Sequence, residues 1–131
     1  MSSPQLIING TIRVLDADIP RFIRAVNACV LETVKEAGCL YYRVGQDCAE
    51  PDLFHMSEGW ADQAAFDAHM ASGHLAIAMR EIAAITVRAS QIKLYAVSGE
   101  TQLSLPVDLA GPPAPTPPAW LAGDGVWPLG S

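Results

Sequence analysis

The sequence is poor in positive charge, in cysteine and in aromatic rings. Eight lysines and arginines face 14 aspartates and glutamates, a formal net charge of −6 at pH 7. That balance argues against nucleic acid and against an anionic membrane surface as partners, because both bind through basic patches. Cysteine is limited to Cys29, Cys39 and Cys48; the number is odd and none forms a C-x-x-C pair. Cys29 reads as a small hydrophobe on a helix. The chain has no continuous apolar run long enough to span a bilayer, and its opening MSSPQLIIN lacks the basic-then-apolar layout of a signal peptide. A cytoplasmic location is the expectation. What the chain does have is apolar residues at 50% of 131 positions, enough for one modest core.

Those residues are patterned up to about residue 105. LIINGTIRVL, residues 6–15, alternates as a strand, with Leu6, Ile8, Gly10, Ile12 and Val14 on one face and Ile7, Asn9, Thr11, Arg13 and Leu15 on the other. Asp18 offers an N-cap and Pro20 a first-turn residue, and a stripe of Ile19, Phe22, Ile23, Val26, Val30 and Val34 follows at helical spacing. Gly38 is the expected residue just past that helix. CLYYRVGQD and LFHMSEGW read as a hairpin across the turn-rich CAEPD. Asp62 caps a second helix that stops near Ser72-Gly73, a third carries Leu75, Ala78, Met79, Ile82 and Ile85, and QIKLYAV closes as a strand. Met79 is expected in the core.

Strand, helix, strand, strand, helix, strand is the split β-α-β order of a ferredoxin-like α+β fold with an antiparallel sheet. Both helical segments fall on one face, and neither strand face of residues 6–15 is wholly polar. The second face therefore needs cover, and a homodimer packing sheet on sheet supplies it. Residues 106–131 form a separate tail with seven prolines and no periodicity, expected to be extended. Its Trp120, Leu121, Trp127 and Leu129 are the expected anchors for docking on the domain or the partner subunit.

The stretch EGWADQAAFDAHMASGHL, residues 58–75, concentrates polar chemistry, holding two of the chain's three histidines. On one continuous helix His69 and His74, five apart, would splay by about 140°. His55 sits on a strand and faces away from Trp60 by alternation. No acidic residue completes a ligand set with them, so no protein-bound metal is expected. Glu58 is expected to make a structural hydrogen bond near the start of the second helix.

EAGCLYY at residues 36–42, the acidic-proline turn, EGWAD at 58–62 and the A-x-x-x-H-x-x-S-x-H run through His69, Ser72 and His74 together resemble the antibiotic biosynthesis monooxygenase family. The resemblance covers about residues 6–97. It implies a dimeric α+β barrel of two ferredoxin-like subunits, each with a pocket between sheet and helices. Known members oxidise quinols and anthrones without a cofactor, degrade haem, or isomerise sugar phosphates. Against the haem-degrading branch, Met79 stands where the axial histidine belongs and His69 where that branch has a tryptophan; only Asn9 matches. Against the anthrone-oxidising branch, Trp60 and Arg80 match a pocket tryptophan and arginine, while Phe66 and Met56 replace a tyrosine and an asparagine.

The resemblance thus implies a cofactor-independent monooxygenase acting with O₂ on a small phenolic, quinol or anthrone-type aromatic. In that reading His69 is the base, Arg80 and Asn9 hold the resulting oxyanion, and Trp60, Phe66, Met56 and His74 line the substrate. Two alternatives stay open. One is an isomerase or lyase using the same histidine for proton transfer, the other a non-catalytic small-molecule binding or interaction module.

Overall fold

Alternation of aliphatic and polar side chains builds β1 (Gln5–Val14), and every later element is placed by what pairs with it or packs on it. The computed structural model describes residues 5–106. The residues proposed to anchor the tail, Trp120, Leu121, Trp127 and Leu129, lie outside that range. After a single 3₁₀ turn come α1 (Ile19–Thr33), the hairpin β2 (Cys39–Gln46) and β3 (Leu53–Trp60), α2 (Gln63–Met70), α3 (Gly73–Ala83) and β4 (Val87–Val97). The sheet runs in the order β2-β3-β1-β4 with antiparallel pairing throughout. This is the ferredoxin-like α+β arrangement that the element order predicts.

The period of two along each strand divides the sheet. Leu6, Ile8 and Val14 of β1 and Phe54, Glu58 and Trp60 of β3 are buried on the side facing the helices. Leu6 lies opposite Trp60, Ile8 opposite Glu58 and Ile12 opposite Phe54. One end of this layer is a cluster of Leu6, Ile8 and Trp60; the other joins Val14 and Phe54 to Phe22 of α1. The Phe22 and Phe54 rings are tilted at 4.7 Å between centroids, within the range where aromatic pairs attract beyond area burial. Cys29 of α1 packs with Leu75 and Ala78 of α3, as its reading as a small hydrophobe requires.

Local details depart from expectation at four points. Asp18 occupies the N-cap position of α1 but does not cap it; its carboxylate instead accepts from the Thr86 backbone N–H at 2.9 Å, tying the helix start to the approach to β4. The helix ends at Thr33 rather than at Gly38, because turns from Val34 onward satisfy the last carbonyls first. Met79 is 53% exposed and so is not core; α3 turns its Leu75 and Ala78 inward instead. The open face is also more polar than the strand pattern suggested. Asn9, Thr11, His55, Gln91 and Lys93 share it with Tyr95 around a shallow depression. The exposed apolar surface of the sheet lies along β4, where Ile92, Leu94 and Tyr95 are each half exposed.

Gly38 sits in the turn between α1 and β2 with φ +80°, a left-handed conformation that costs side-chain-bearing residues about 1–2 kcal/mol. Its carbonyl accepts from the Ala61 N–H at 2.8 Å, and a Cβ added there would lie 2.5 Å from the Ala65 Cβ of α2. Strain and clash act together, so Gly38→Ala should lower the thermal midpoint by at least about 4 °C. A melt followed by circular dichroism checks this, and an unchanged midpoint would show that the turn relaxes freely.

Candidate active site

Capping chemistry brings the two helical histidines together. Asp62 accepts from the Ala65 N–H at 2.8 Å and starts α2, which ends at Met70. Ser72 then splices the chain, its hydroxyl donating to the His69 carbonyl at 2.7 Å and accepting from the Leu75 N–H at 3.4 Å. The break redirects α3, and the splay that a continuous helix would impose no longer applies. His69 Nδ1 lies 2.7 Å and His74 Nε2 2.9 Å from the same oxygen, Oε2 of Glu36. For both contacts to be hydrogen bonds to a carboxylate oxygen, which accepts, each of those ring nitrogens must be the protonated one. The expectation that no acidic residue completes a set with the histidines is therefore corrected. Glu36, held in the turn that Gly38 closes, does so, and the three ligand atoms lie within 4.8 Å of one another.

His69 is 2% exposed and its ring lies 4.6 Å from that of Trp60 at an interplanar angle of 30°. It forms one wall of a cavity of about 240 Å³ between sheet and helices, shared with Tyr42, Met56, Glu58, Phe66 and the side chains of Ile8 and Ile92. No fully buried side-chain nitrogen or oxygen among the described residues lacks a partner. His69 Nδ1 is engaged by Glu36, and the His69 ring lines the cavity.

Two further polar groups line the same space. Glu58 accepts from Trp60 Nε1–H at 3.0 Å. Burial pushes its carboxyl above the usual carboxylate range, offset in part by that hydrogen bond and by His69. Burial, reinforced by the charge of Glu58, also pushes the Tyr42 hydroxyl far above the ordinary phenol range. Tyr42 therefore keeps its proton at neutral pH and can act as a donor.

Of the residues singled out in the sequence, His69, Met56 and Phe66 meet at the cavity. Trp60 is fully buried and supports His69 from below rather than forming an open wall. His74 shares Glu36 but opens onto a groove between α1 and α3 lined by Arg21 and Arg24. Asn9 is not on the pocket face. It is exposed on the opposite side of the sheet, where its side-chain oxygen accepts from the Ser57 hydroxyl at 2.8 Å. Arg80 is exposed and does not line the cavity; its neighbour Met79 does, and one helical residue is a 100° rotation. His55 pairs with Asp47 at 2.7 Å on the open face. Glu58 makes its structural hydrogen bond near the start of α2, accepting from Trp60 two residues before the Asp62 cap. Sequence reasoning missed Glu36, Glu58 and Tyr42 as site residues, although all three stand in the EAGCLYY and EGWAD motifs.

A ferredoxin-like antiparallel sheet with a partly apolar cavity under its helices, lined by an imidazole braced by a carboxylate and by a buried carboxyl, defines the class of α+β protein to which this chain conforms. The sequence profile of the antibiotic biosynthesis monooxygenases matches residues 6–81, and the chain belongs to that family. A solved protein from Pseudomonas aeruginosa is 28% identical, with 76% of this chain and 99% of that one covered at a TM-score of 0.67. One from Deinococcus radiodurans, described as a candidate antibiotic biosynthesis monooxygenase, is 22% identical over 76% of this chain and 98% of its own at a TM-score of 0.70. A Nitrosomonas europaea protein with the same description is 15% identical over 78% of this chain and 98% of its own at a TM-score of 0.68, a likeness of fold alone. No protein of curated function matches the chain.

A carboxyl whose folded pKa lies above its unfolded value favours the fold while protonated and loses that contribution as pH rises through the folded pKa. Burial does this to Glu58, so Glu58→Gln, which keeps an acceptor for Trp60, should be more stable than wild type near neutral pH. The advantage should shrink as pH falls towards the ordinary carboxylate range. Thermal melts of both proteins across that range give the comparison; a difference that grows on acidification would contradict it.

Proposed function

We propose that this protein is a monooxygenase that oxidises a small hydroxylated aromatic, a phenol or quinol, with the substrate itself supplying the electrons for O₂. The observation that carries this reading is His69. With its Nδ1–H donating to Glu36 across 2.7 Å, the tautomer is fixed and Nε2 is the acceptor of a ring that lines a mostly apolar cavity. A neutral imidazole nitrogen within reach of a phenolic hydroxyl is suited to abstract its proton.

The chemistry follows from the spin of O₂. Ground-state O₂ is a triplet, so two-electron attack on a singlet substrate is forbidden. A phenolate evades this by giving up one electron first. His69 Nε2 takes the phenolic proton, and the protonated Tyr42 hydroxyl donates to the oxyanion that forms, the role given at the outset to Arg80 and Asn9. One oxygen atom ends in the product, and the other leaves as water with two hydrogens from the substrate. Phe66, Met56, Ile8 and Ile92 provide apolar contact. At about 240 Å³ the cavity falls below the roughly 300–1,000 Å³ of drug-sized sites, which favours one ring or two fused rings over a three-ring anthrone.

A homodimer is part of the proposal. Ile92 lines the cavity from β4, whose Ile92 and Leu94 stand half exposed on the helix side. A second copy laid along that strand covers the apolar edge and closes the cavity. Glu58 favours a second reading, isomerisation by proton transfer, because a buried carboxyl whose pKa burial raises would give the same cavity an acid to match the base.

Oxygen uptake with a panel of quinols and phenols separates the two readings. His69→Gln should lower turnover by roughly 10²–10⁴-fold, the scale of general-base catalysis, whereas Arg80→Leu should leave it at the wild-type level. Turnover without O₂ consumption would instead support the isomerase. Sedimentation at low micromolar concentration should show a two-chain species, and a stable folded monomer would end the dimer reading.

A further inference from the structure

Glu36, His69 and His74 come from three segments: the turn after α1, the last turn of α2 and the first turn of α3. Hydrogen bonding alone would need only one of the two rings on the carboxylate. Both instead direct a nitrogen at a single oxygen, and one donor atom from each residue lies within 4.8 Å of the others. We propose that these three side chains form a site for a divalent transition-metal ion of the zinc class, bound through His69 Nδ1, His74 Nε2 and a Glu36 carboxylate oxygen.

Two imidazoles and one carboxylate are a ligand set that such borderline ions take, leaving a fourth position to water or a small ligand. Ligand atoms on a tetrahedron with bonds of ~2.05 Å sit about 3.3 Å apart. The present nitrogen-to-oxygen separations of 2.7 and 2.9 Å must open by roughly half an ångström. Glu36 and His74 can supply that movement, since their side chains are 16% and 22% exposed. His69, stacked on Trp60, is the fixed corner. His74, which lines the separate groove between α1 and α3, gives the ion a route that does not cross the cavity.

Occupancy changes what His69 offers the cavity. Metal coordination takes the Nδ1 lone pair, so the neutral ring moves its proton from Nδ1 to Nε2. No proton need leave the protein, yet Nε2 turns from acceptor into donor. The metal-loaded protein therefore cannot use His69 as a base. This consequence rests on the base role proposed above; the binding site does not.

The test uses the full chain, stripped with a chelator and titrated with Zn²⁺ against a chromophoric zinc indicator. One Zn²⁺ per chain is expected. His74→Ala, and separately Glu36→Gln, should weaken binding by more than the roughly 10–100-fold that losing a ligand's supporting partner costs. Circular dichroism confirms that each variant folds, and His74→Gln replaces His74→Ala if the latter does not. Absence of stoichiometric binding, or binding equally tight in all folded variants, overturns the site. In the second arm, Zn²⁺ should inhibit quinol-dependent oxygen uptake by wild type and leave His74→Ala uninhibited at the same concentration. Full activity with Zn²⁺ bound would overturn the switch. If zinc binds through these residues but the zinc-free protein consumes no O₂ with any substrate, the oxygenase reading fails and the metal site stands.

Discussion

A carboxylate in a partly buried setting must find donors, and Glu36 finds two imidazoles on one of its oxygens. That constraint reaches outward through the structure. It needs the turn after α1 to lie against the start of α2, which Gly38 allows by its left-handed backbone and its bond to Ala61. It also needs α2 to stop after His69 so that α3 can set off in a new direction, and Ser72 provides both the stop and the new cap. Removing any one of these leaves the carboxylate or a histidine without a partner, at a cost of about 1–3 kcal/mol for each unsatisfied buried group.

The same economy governs the cavity. Trp60 fills the deepest part of the layer, yet its indole N–H must be paired, and Glu58 two residues earlier on the same strand face accepts it. Pairing across two residues of one strand works because alternation puts both on the helix side. Burial raises the Glu58 carboxyl above its ordinary range, and the same burial, with the charge of Glu58, raises the Tyr42 phenol. Packing and chemistry are therefore not separable here. The residues that satisfy the core's polar atoms, His69 and Glu58, are also ones that line the cavity.

β4 plays a different part. It pairs with β1 along nearly its whole length and completes the antiparallel sheet, yet it keeps Ile92, Leu94 and Tyr95 half exposed. An edge strand with apolar side chains on both faces invites another chain, a liability in a monomer and an asset in an assembly. Ile92 belongs both to this edge and to the cavity lining, so the edge and the cavity share a side chain.

Local rules carried much of the architecture. Alternation from Leu6 to Val14, the stripe on α1, the Asp62 and Ser72 caps and the turn between β2 and β3 all act over a few residues, so the sequence alone determined the element order, the ferredoxin-like class and the family. The site was only partly legible. His69, Phe66 and Met56, singled out from motifs that resemble those of the family, line the cavity, whereas Asn9 and Arg80 lie off it by one step of strand alternation and one of helical rotation. Glu36 stood in a quoted motif and still went unrecognised as the histidines' partner. Its bonds span 33 and 38 residues, and no local periodicity encodes a contact that forms only when two helix ends and a turn meet. Which face a polar residue joins, and which distant group it meets there, was decided by tertiary packing, because burial selects among orientations that the local pattern leaves equal.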